Sequence, residues 1–366
     1  MRGVVDFFLI DSADITSFEP IFRRLPRGAF IAPGSDPDRW FDRDRALLYL
    51  AEKHLSSQPL PSVNAQAAIT TQYFRHLNRR EYRHVPTFRL MYGLAEKGAL
   101  HGAEWANGFD AILCPGPYSR KLLEQQGFKA VVVGDPKHDA YFRGDYDGDA
   151  IRRKYGLPGN RRCILYVPTW GEHSSVDPFQ DDIRSLCHRS DYTVIYKPHT
   201  VSVRMERQRI DCFKGDIESG RLICVESQTN LDELLSIADI VVTDAMSGAL
   251  WDAVLVADLP TVALTSTAPK PRQGLDARVG ECAPILEQPG GLAALLDSTH
   301  RAFNRGDKGR MQLREELLAY CNGTAAERAA AVLVECTEAY YRRHPISRLA
   351  LQAKGALLVG RSAWRS

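Results

Sequence analysis

The chain lacks the marks of a disulfide-linked or membrane-spanning protein. No Cys-x-x-Cys pair occurs among its eight cysteines, and Cys114, Cys163 and Cys224 lie in apolar, strand-like runs. We therefore expect buried free thiols and no disulfide framework. The opening MRGVVDFFLIDSAD has only a short apolar run followed by acids, which fits neither a signal peptide nor a membrane span. The sequence thus predicts a cytoplasmic protein.

The chain also has little excess charge and no low-complexity tract. Lys and Arg number 47 against 45 Asp and Glu, for a net charge of +2, so no overall basic field indicates a nucleic-acid partner. A content of 44% hydrophobic and 25% charged residues is that of a globular protein. The length of 366 residues exceeds what one hydrophobic core usually supports. Two domains are therefore expected.

Short β-rich runs alternate with amphipathic stretches, which is typical of parallel sheets with helical crossovers. The first half has strand-like runs in VVDFFLID, GAFIAP, FDAILCPG and VVVGDP; the second restarts with CILYVPTW and continues through YTVIYKPH, RLICVES, IVVTDA and TVALTS. A polar stretch rich in Gly and Asp separates the halves near Gly144 to Asn160. We expect an α/β fold with two Rossmann-like, doubly wound domains over 1–150 and 151–335, followed by a C-terminal segment, 336–366.

Three strand ends of the second half carry unusual polar residues. They read Pro168-Thr169-Trp170-Gly171, Lys197-Pro198-His199-Thr200 and Thr243-Asp244-Ala245-Met246-Ser247-Gly248. In doubly wound sheets, ligands bind beyond the carboxyl ends of the strands, where N–H groups at helix starts collect anions. The sequence therefore predicts that these three loops meet around a phosphate.

Two residues of the third loop also have a simpler interpretation. Ser247 or Asp244 can cap the helix that follows, which is the commonest role of such residues. Gly248 leaves N–H groups unshielded, so a cap and a phosphate site can coincide at this turn. Lys197 and His199 flank a proline that ends an apolar strand, so His199 projects beyond the sheet. We interpret Lys197 and His199 as cations of a binding site.

The passages ILYVPTWGE, YKPH and NLDELLSIADIVVTDAMSGALWDAV occur in an order and spacing that resemble the CDP-glycerol glycerophosphotransferases of wall and capsule polymer synthesis. Upstream, GPYSRKLLEQQGFKAVVVGDPKHDAYF looks like the link between domains in that family. The resemblance covers roughly residues 88 to 265. One departure is that the serine pair of the family's third motif is reduced to Ser247, preceded by Met246.

The resemblance implies a GT-B fold, with two Rossmann-like domains facing a central cleft and a cytidine diphosphate held by the C-terminal domain. It implies that His199 contacts donor phosphate, that Asp244 and Ser247 lie at the phosphate-binding turn, and that Thr169 lines the same cleft. Lys197 is added from the residue pattern alone. The expected partners are a cytidine nucleotide donor and a glycan or lipid-linked glycan acceptor, and neither a metal nor another cofactor is expected.

A second departure concerns the general base. Where the family carries His-Gly-x-x-x-Lys, this sequence reads Tyr92-Gly93-Leu94-Ala95-Glu96-Lys97. A tyrosine with a pKa near about 10 accepts protons poorly at neutral pH. Tyr92 therefore orients a ligand, or the base lies elsewhere, with Glu96, His101 and Asp14 as candidates. An Asp such as Asp14 often caps a helix instead.

The missing histidine leaves other functions open. A cytidine monophosphate sugar of the Kdo type would use a similar phosphate site, with transfer of a sugar to a glycan. A UDP-sugar 2-epimerase shares the two-domain architecture but needs a carboxylate pair that is not evident here. A domain that binds the donor and has lost catalysis at Tyr92 is a non-enzymatic alternative.

The C-terminal region differs in character from the rest. Thr324 and Glu327 predict a capping box at the start of the helix AAERAAAVLVECTEAYY. The last 26 residues contain six Lys or Arg and no acid, interleaved with Leu, Val and Trp. This pattern suits either peripheral contact of residues 341–366 with an anionic membrane, at the inner face of the cytoplasmic membrane, or a terminal helix that packs across the N-terminal domain.

Overall fold

The computed structural model of the protein describes residues 3–33, 43–71, 82, 84–94, 108–266, 274–347 and 349. The chain divides into two compact units. The first comprises Met1–Tyr92, Gly98–Asp139 and Glu316–Ser366, and the second comprises Gly93–Lys97 and Ala140–Glu315. Each unit is built on its own parallel sheet, as expected from the repeated β/α rhythm.

The first unit contains a seven-stranded sheet in the order β3-β2-β1-β4-β5-β6-β7. Each described strand pair of this sheet is parallel. Val, Ile, Phe and Leu side chains of the strands are buried on both faces, as in sheets covered by helices on each side. The strands are β1 (Val4–Phe8), β2 (Gly28–Ile31), β3 (Ser57–Gln58), β4 (Ala65–Thr70), β5 (Thr87–Leu90), β6 (Ala111–Cys114) and β7 (Ala130–Val132).

The second unit contains a six-stranded sheet in the order β10-β9-β8-β11-β12-β13, again with parallel pairs. Its two faces carry separate clusters of buried apolar side chains. The strands are β8 (Arg162–Val167), β9 (Tyr192–Tyr196), β10 (Leu222–Cys224), β11 (Ile240–Asp244), β12 (Thr261–Leu264) and β13 (Ile285–Leu286).

Helices connect the strands of both sheets. A π-helical turn, Asp252–Val256, follows α11, and shorter 3-10 segments lie at Pro136–His138, Gly171–His173 and Gly274–Glu281. The α-helices are α1 (Asp14–Phe22), α2 (Arg43–Glu52), α3 (Pro117–Gln125), α4 (Asp139–Arg143), α5 (Gly148–Lys154), α6 (Val176–Cys187), α7 (Thr200–Met205), α8 (Gln208–Asp211), α9 (Lys214–Glu218), α10 (Leu231–Leu235), α11 (Gly248–Trp251), α12 (Leu292–Ala302), α13 (Lys308–Leu317) and α14 (Ala325–Arg343).

The last described helix, α14, packs in the first unit. Its small and branched apolar residues, including Ala326, Ala329 and Leu333, belong to the same buried cluster as strands β1 and β4. The chain returns to this unit past Gly116, where an added Cβ would lie 2.1 Å from the carbonyl oxygen of Leu317. Residues 316–335, expected in the second domain, therefore lie in the first unit because their apolar face completes its core.

The capping box expected at Thr324 and Glu327 is wrong, although the helix begins at the expected place. Thr324 makes no side-chain cap bond. The carboxylate of Asp139 instead accepts hydrogen bonds from the backbone N–H groups of Ala325 and Ala326, each at 2.9 Å. A buried acid from a distant part of the chain thus satisfies the helix start, which also gains from the negative charge there.

Between strands β9 and β10 the chain forms three short helices, α7, α8 and α9. All eight cysteines are free; Cys114, Cys163 and Cys187 are buried and the other five are partly exposed. Among the described residues, no helix combines the length and apolar character that crossing a bilayer requires.

Candidate functional site

The second sheet reverses its direction of growth between β8 and β11. The chain adds β9 and β10 on one side of β8, and then β12 and β13 on the far side of β11. Loops that follow the two strands flanking such a reversal diverge and leave a crevice, which is the usual ligand site of a doubly wound sheet. The loops after Val167 and Asp244 therefore border the candidate site.

Asp244 joins these two loops. Its side chain is fully buried, and its carboxylate accepts hydrogen bonds from the backbone N–H groups of Thr169 at 2.5 Å and Ser175 at 3.0 Å. The Thr243 hydroxyl adds a bond of 2.7 Å to the carbonyl oxygen of Val167. Burial raises the pKa of Asp244 to about 7, against these hydrogen bonds, which lower it. Asp244 thus forms part of the frame that holds the loop of Thr169.

His199 begins helix α7 beyond the end of β9. Its Nδ1 accepts a hydrogen bond from the backbone N–H of Val201 at 3.1 Å, which makes the imidazole the N-cap of this helix. An accepting Nδ1 requires that the neutral ring carry its proton on Nε2. The ring lies beside Trp170, with centroids 6.1 Å apart. The loop after β9 is thereby connected to the loop after β8.

Lys197 is directed toward the next strand of the sheet. Its amine donates a hydrogen bond of 2.7 Å to the carbonyl oxygen of Ser227, which follows β10. Ser227 itself is buried. Lys197 therefore stabilises the loop after β10 while placing a positive charge at the same edge of the sheet as His199.

Ser247 caps helix α11, as the simpler interpretation predicted. Its hydroxyl accepts a hydrogen bond of 3.2 Å from the N–H of Ala249, and its own N–H donates to the carbonyl oxygen of Asp244 at 3.0 Å. Gly248 is the first residue of the helix, which continues into the buried π-helical turn. The turn after β11 is therefore compact, and it begins at the same Asp244 that holds the loop of Thr169.

The first sheet has the same reversal, between β1 and β4, and a buried acid lies there too. The Oδ2 atom of Asp14 accepts hydrogen bonds from the N–H groups of Ile10 at 2.8 Å and Asp11 at 2.9 Å, while Oδ1 accepts one from the Thr71 hydroxyl at 2.9 Å. Burial, with the charge of Asp11, raises the pKa of Asp14 to about 7. The carboxylate joins the loop after β1 to the residue after β4.

Arg89, on strand β5, was missed by the sequence analysis. Its side chain is buried, and its Nε donates a hydrogen bond of 3.1 Å to the carbonyl oxygen of Thr71. Burial lowers the pKa of Arg89 to about 10, an effect opposed by nearby Tyr92. The only signal was a charged residue inside the apolar run TFRL. A guanidinium buried at the end of a sheet is a strong donor for anions.

The candidate bases are distributed as follows. Tyr92 follows β5 by two residues and is 43% exposed, whereas Asp14 is buried by the contacts described above. Glu96 and His101 lie outside the described residues. Within the part of the chain that the structure describes, no group of three or more His, Cys, Asp or Glu side chains is arranged to hold a metal ion.

Comparisons with known proteins identify the family of the chain and structures that share its fold. The CDP-Glycerol:Poly(glycerophosphate) glycerophosphotransferase family matches residues 106–335, which is more than half of the chain. No curated protein matches.

Solved structures with a similar fold include the wall teichoic acid polymerase TagF, in a variant soaked with CDPG, with a TM-score of 0.59 and 15% identity over 92% of this chain and 89% of that one. A putative UDP-N-acetylglucosamine 2-epimerase from Listeria monocytogenes gives 0.61 and 13% over 91% and 96%. UDP-GlcNAc 2-epimerase from Neisseria meningitidis, bound to UDP-GlcNAc, gives 0.59 and 11% over 91% and 99%.

The two doubly wound sheets define a protein of the GT-B class, as the sequence predicted. Within that class, the chain belongs to the CDP-glycerol:poly(glycerophosphate) glycerophosphotransferase family and is a transferase.

Proposed function

We propose that the protein transfers a glycerol-phosphate-like or sugar group from a cytidine nucleotide donor to a hydroxyl group of a cell-envelope glycan. Family membership supports the reaction class. Two contacts at the second sheet support the proposed location of the donor: Asp244 holds the loop of Thr169, and Trp170 lies beside His199. The loops after β8, β9 and β11 therefore lie at the same edge of this sheet.

The chemistry required at this edge is stabilisation of a departing nucleotide. Its phosphate gains negative charge in the transition state, so preorganised donors that face it accelerate transfer. We propose that the Nε2–H of His199 and the turn at Ser247 and Gly248 donate to that phosphate. Thr169 lines the same pocket, and Lys197 contributes charge from its position against the loop after β10.

The first unit is proposed to bind the acceptor. Tyr92 is exposed enough to contact a hydroxyl, but a phenol accepts protons poorly at neutral pH, so orientation suits this side chain better than proton abstraction. Asp14, whose two oxygens already accept three hydrogen bonds, is proposed to position the loop after β1. Glu96 and His101 stay candidates for the base.

We further propose peripheral binding at the inner face of the cytoplasmic membrane. Ile346 and Leu349 are exposed, by 75% and 64%, and the remaining residues to 366 add four Lys or Arg, counted from Arg348, without an acid. Basic and apolar residues together favour an anionic bilayer surface. A chain lacking 348–366 keeps the contact of Ser347 with His84 and should sediment less with anionic liposomes. Equal sedimentation of both chains would contradict this proposal.

The proposed reaction is tested by binding and turnover together. A thermal-shift screen against CDP, CMP, UDP and GDP should give selective stabilisation by the cytidine nucleotides, because ligands that bind the native state raise its stability by mass action. Radiolabelled CDP-glycerol should then be consumed in the presence of a glycan acceptor. A uridine preference would instead favour an epimerase or sugar transferase, a CMP-sugar preference a Kdo-type transferase, and binding without turnover a domain that has lost catalysis.

A further inference from the structure

Glu206 lies at the end of helix α7 and contacts two parts of the second sheet's edge. Its Oε1 accepts a hydrogen bond of 3.0 Å from the N–H of Gly171, in the loop after β8. Its Oε2 accepts one of 2.8 Å from the hydroxyl of Ser202, in the middle of α7. One carboxylate thereby connects the loop that contains Trp170 to the helix that His199 caps.

The carboxylate is itself held in place. Arg209 forms an ion pair with Glu206, with Nη1 and Oε2 2.8 Å apart, while both side chains stay largely buried at 12% and 16% exposure. The same guanidinium also donates to Asp177, at the start of α6. These contacts hold the Glu206 side chain in one position. Its removal would leave the N–H of Gly171, the hydroxyl of Ser202 and the guanidinium of Arg209 without this acceptor.

Gly171 explains why a side chain is needed here. Its φ of 69° lies in the left-handed region that favours glycine, and the turn that begins there is a single 3-10 turn. The N–H of Gly171 lies at the start of this turn, where no carbonyl oxygen of the turn can accept from it, and the carboxylate of Glu206 accepts from it instead. The bond therefore connects the residue after Trp170 to helix α7.

We propose that Glu206 is a positioning residue that fixes the ring of Trp170 against the imidazole of His199, and so aims His199 at the donor phosphate. The inference rests on the proposed donor site. Misplacement of a catalytic group by about 1 Å can cost on the order of 100-fold in rate. The two rings are 6.1 Å apart, so small shifts of either loop change their contact.

The test uses Glu206→Ala, Glu206→Gln and a control, Glu218→Ala. Glu218 is 65% exposed and pairs only with Lys214 on its own helix among the ion pairs described. In the Gln variant, the amide oxygen still accepts from Gly171 and the amide NH2 can donate to the hydroxyl of Ser202, whereas the ion pair with Arg209 is lost. We expect kcat with CDP-glycerol to fall on the order of 10- to 100-fold in Glu206→Ala, to recover in part in Glu206→Gln, and to stay at the wild-type value in the control.

A second measurement does not depend on the reaction. With 13C-labelled histidine, the ring C–H signals of His199 are assigned by their loss in His199→Asn, and their shift reports the nearby indole. We expect Glu206→Ala to move them toward free histidine and Glu206→Gln to restore them in part, at a temperature where thermal melting shows both variants to be folded. Unchanged signals in Glu206→Ala would overturn the positioning role, whereas absence of turnover in the wild-type protein would overturn only the proposed function.

Discussion

The two sheets have the same design at their reversal points and differ in what surrounds it. In each, one buried aspartate with a pKa raised to about 7 joins the loops after the first and fourth strands. Asp244 in the second sheet holds the loop of Thr169, in which Trp170 lies beside the neutral ring of His199. Asp14 in the first sheet shares Thr71 with Arg89, which lies near Tyr92. We propose that the two acids have the same structural role and that the chemistry belongs to the residues around them.

The largest effect should come from His199. Replacement by Ala or by Asn should lower kcat by on the order of 100- to 1,000-fold, as for loss of one oxyanion donor. The Asn variant keeps an acceptor for the N–H of Val201, so any loss in it belongs to the missing imidazole and not to the helix cap. Steady-state kinetics and thermal melting check both variants. His188→Ala, at an exposed position, is the control and should keep the wild-type kcat. A wild-type kcat in His199→Asn would contradict the proposal that the second sheet supplies the donor-phosphate contacts.

The next prediction concerns the packing of the C-terminal part of the chain into the first unit. Gly116→Ala should destabilise that unit by about 1–3 kcal/mol, because the new Cβ overlaps the backbone at Leu317. Gly159→Ala, where an added Cβ meets nothing within 4 Å, should leave stability near wild type. Urea unfolding with domain-specific probes measures the difference. Equal stability of both variants would mean that the C-terminal return is loosely packed.

The shared acids predict a shared pH dependence. A folded pKa raised to about 7 for Asp14 and Asp244 means that the folded state holds protons which the unfolded chain has released above about pH 4. Their contribution to stability is therefore fully present below pH 4 and is lost as pH rises toward 7.

Asp14→Asn or Asp244→Asn should each remove up to about 1.4 kcal/mol per pH unit of this decline. Denaturant titrations between pH 4 and 8 measure the slope, which is informative even if Asn lowers stability at every pH. An unchanged slope in both variants would show that neither acid binds a proton on folding.

The smallest expected effect is that of Tyr92. Tyr92→Phe keeps the ring and should lower kcat by less than about tenfold, that is, by under about 1.4 kcal/mol. Initial rates at saturating donor and varied acceptor check this value. Complete inactivation would instead make Tyr92 a central catalytic group and the first sheet the chemically decisive one.

The sequence predicted most of the second sheet and less of the first. Strands such as β8 and β11 are continuous apolar runs, so their pattern was clear. In the first sheet, β4 reads AQAAIT and β5 reads TFRL; alanine and a buried arginine disguise them, because tertiary burial overrides intrinsic strand preference. The central strand β4 and the buried Arg89 were missed for this reason.

Within the candidate site, sequence reasoning identified positions better than partners. It placed His199 just beyond a strand end and Ser247 at a helix start, and the structure finds that both side chains cap helices. It had no means to find that Asp244 pairs with Thr169, 75 residues earlier, or that Asp139 caps α14. Such contacts depend on which loops the fold brings together, and no local pattern of residues encodes them.

The position of α14 has a consequence for the order of synthesis. Strands of the first sheet emerge from the ribosome first, but the helix that completes their core ends only at Arg343. Every residue of the second unit has been made by position 315. Domains usually fold as they emerge, the N-terminal one first. Here the second unit has its whole sequence available sooner, so nascent chains should carry a first unit with an unfinished core for the longer time.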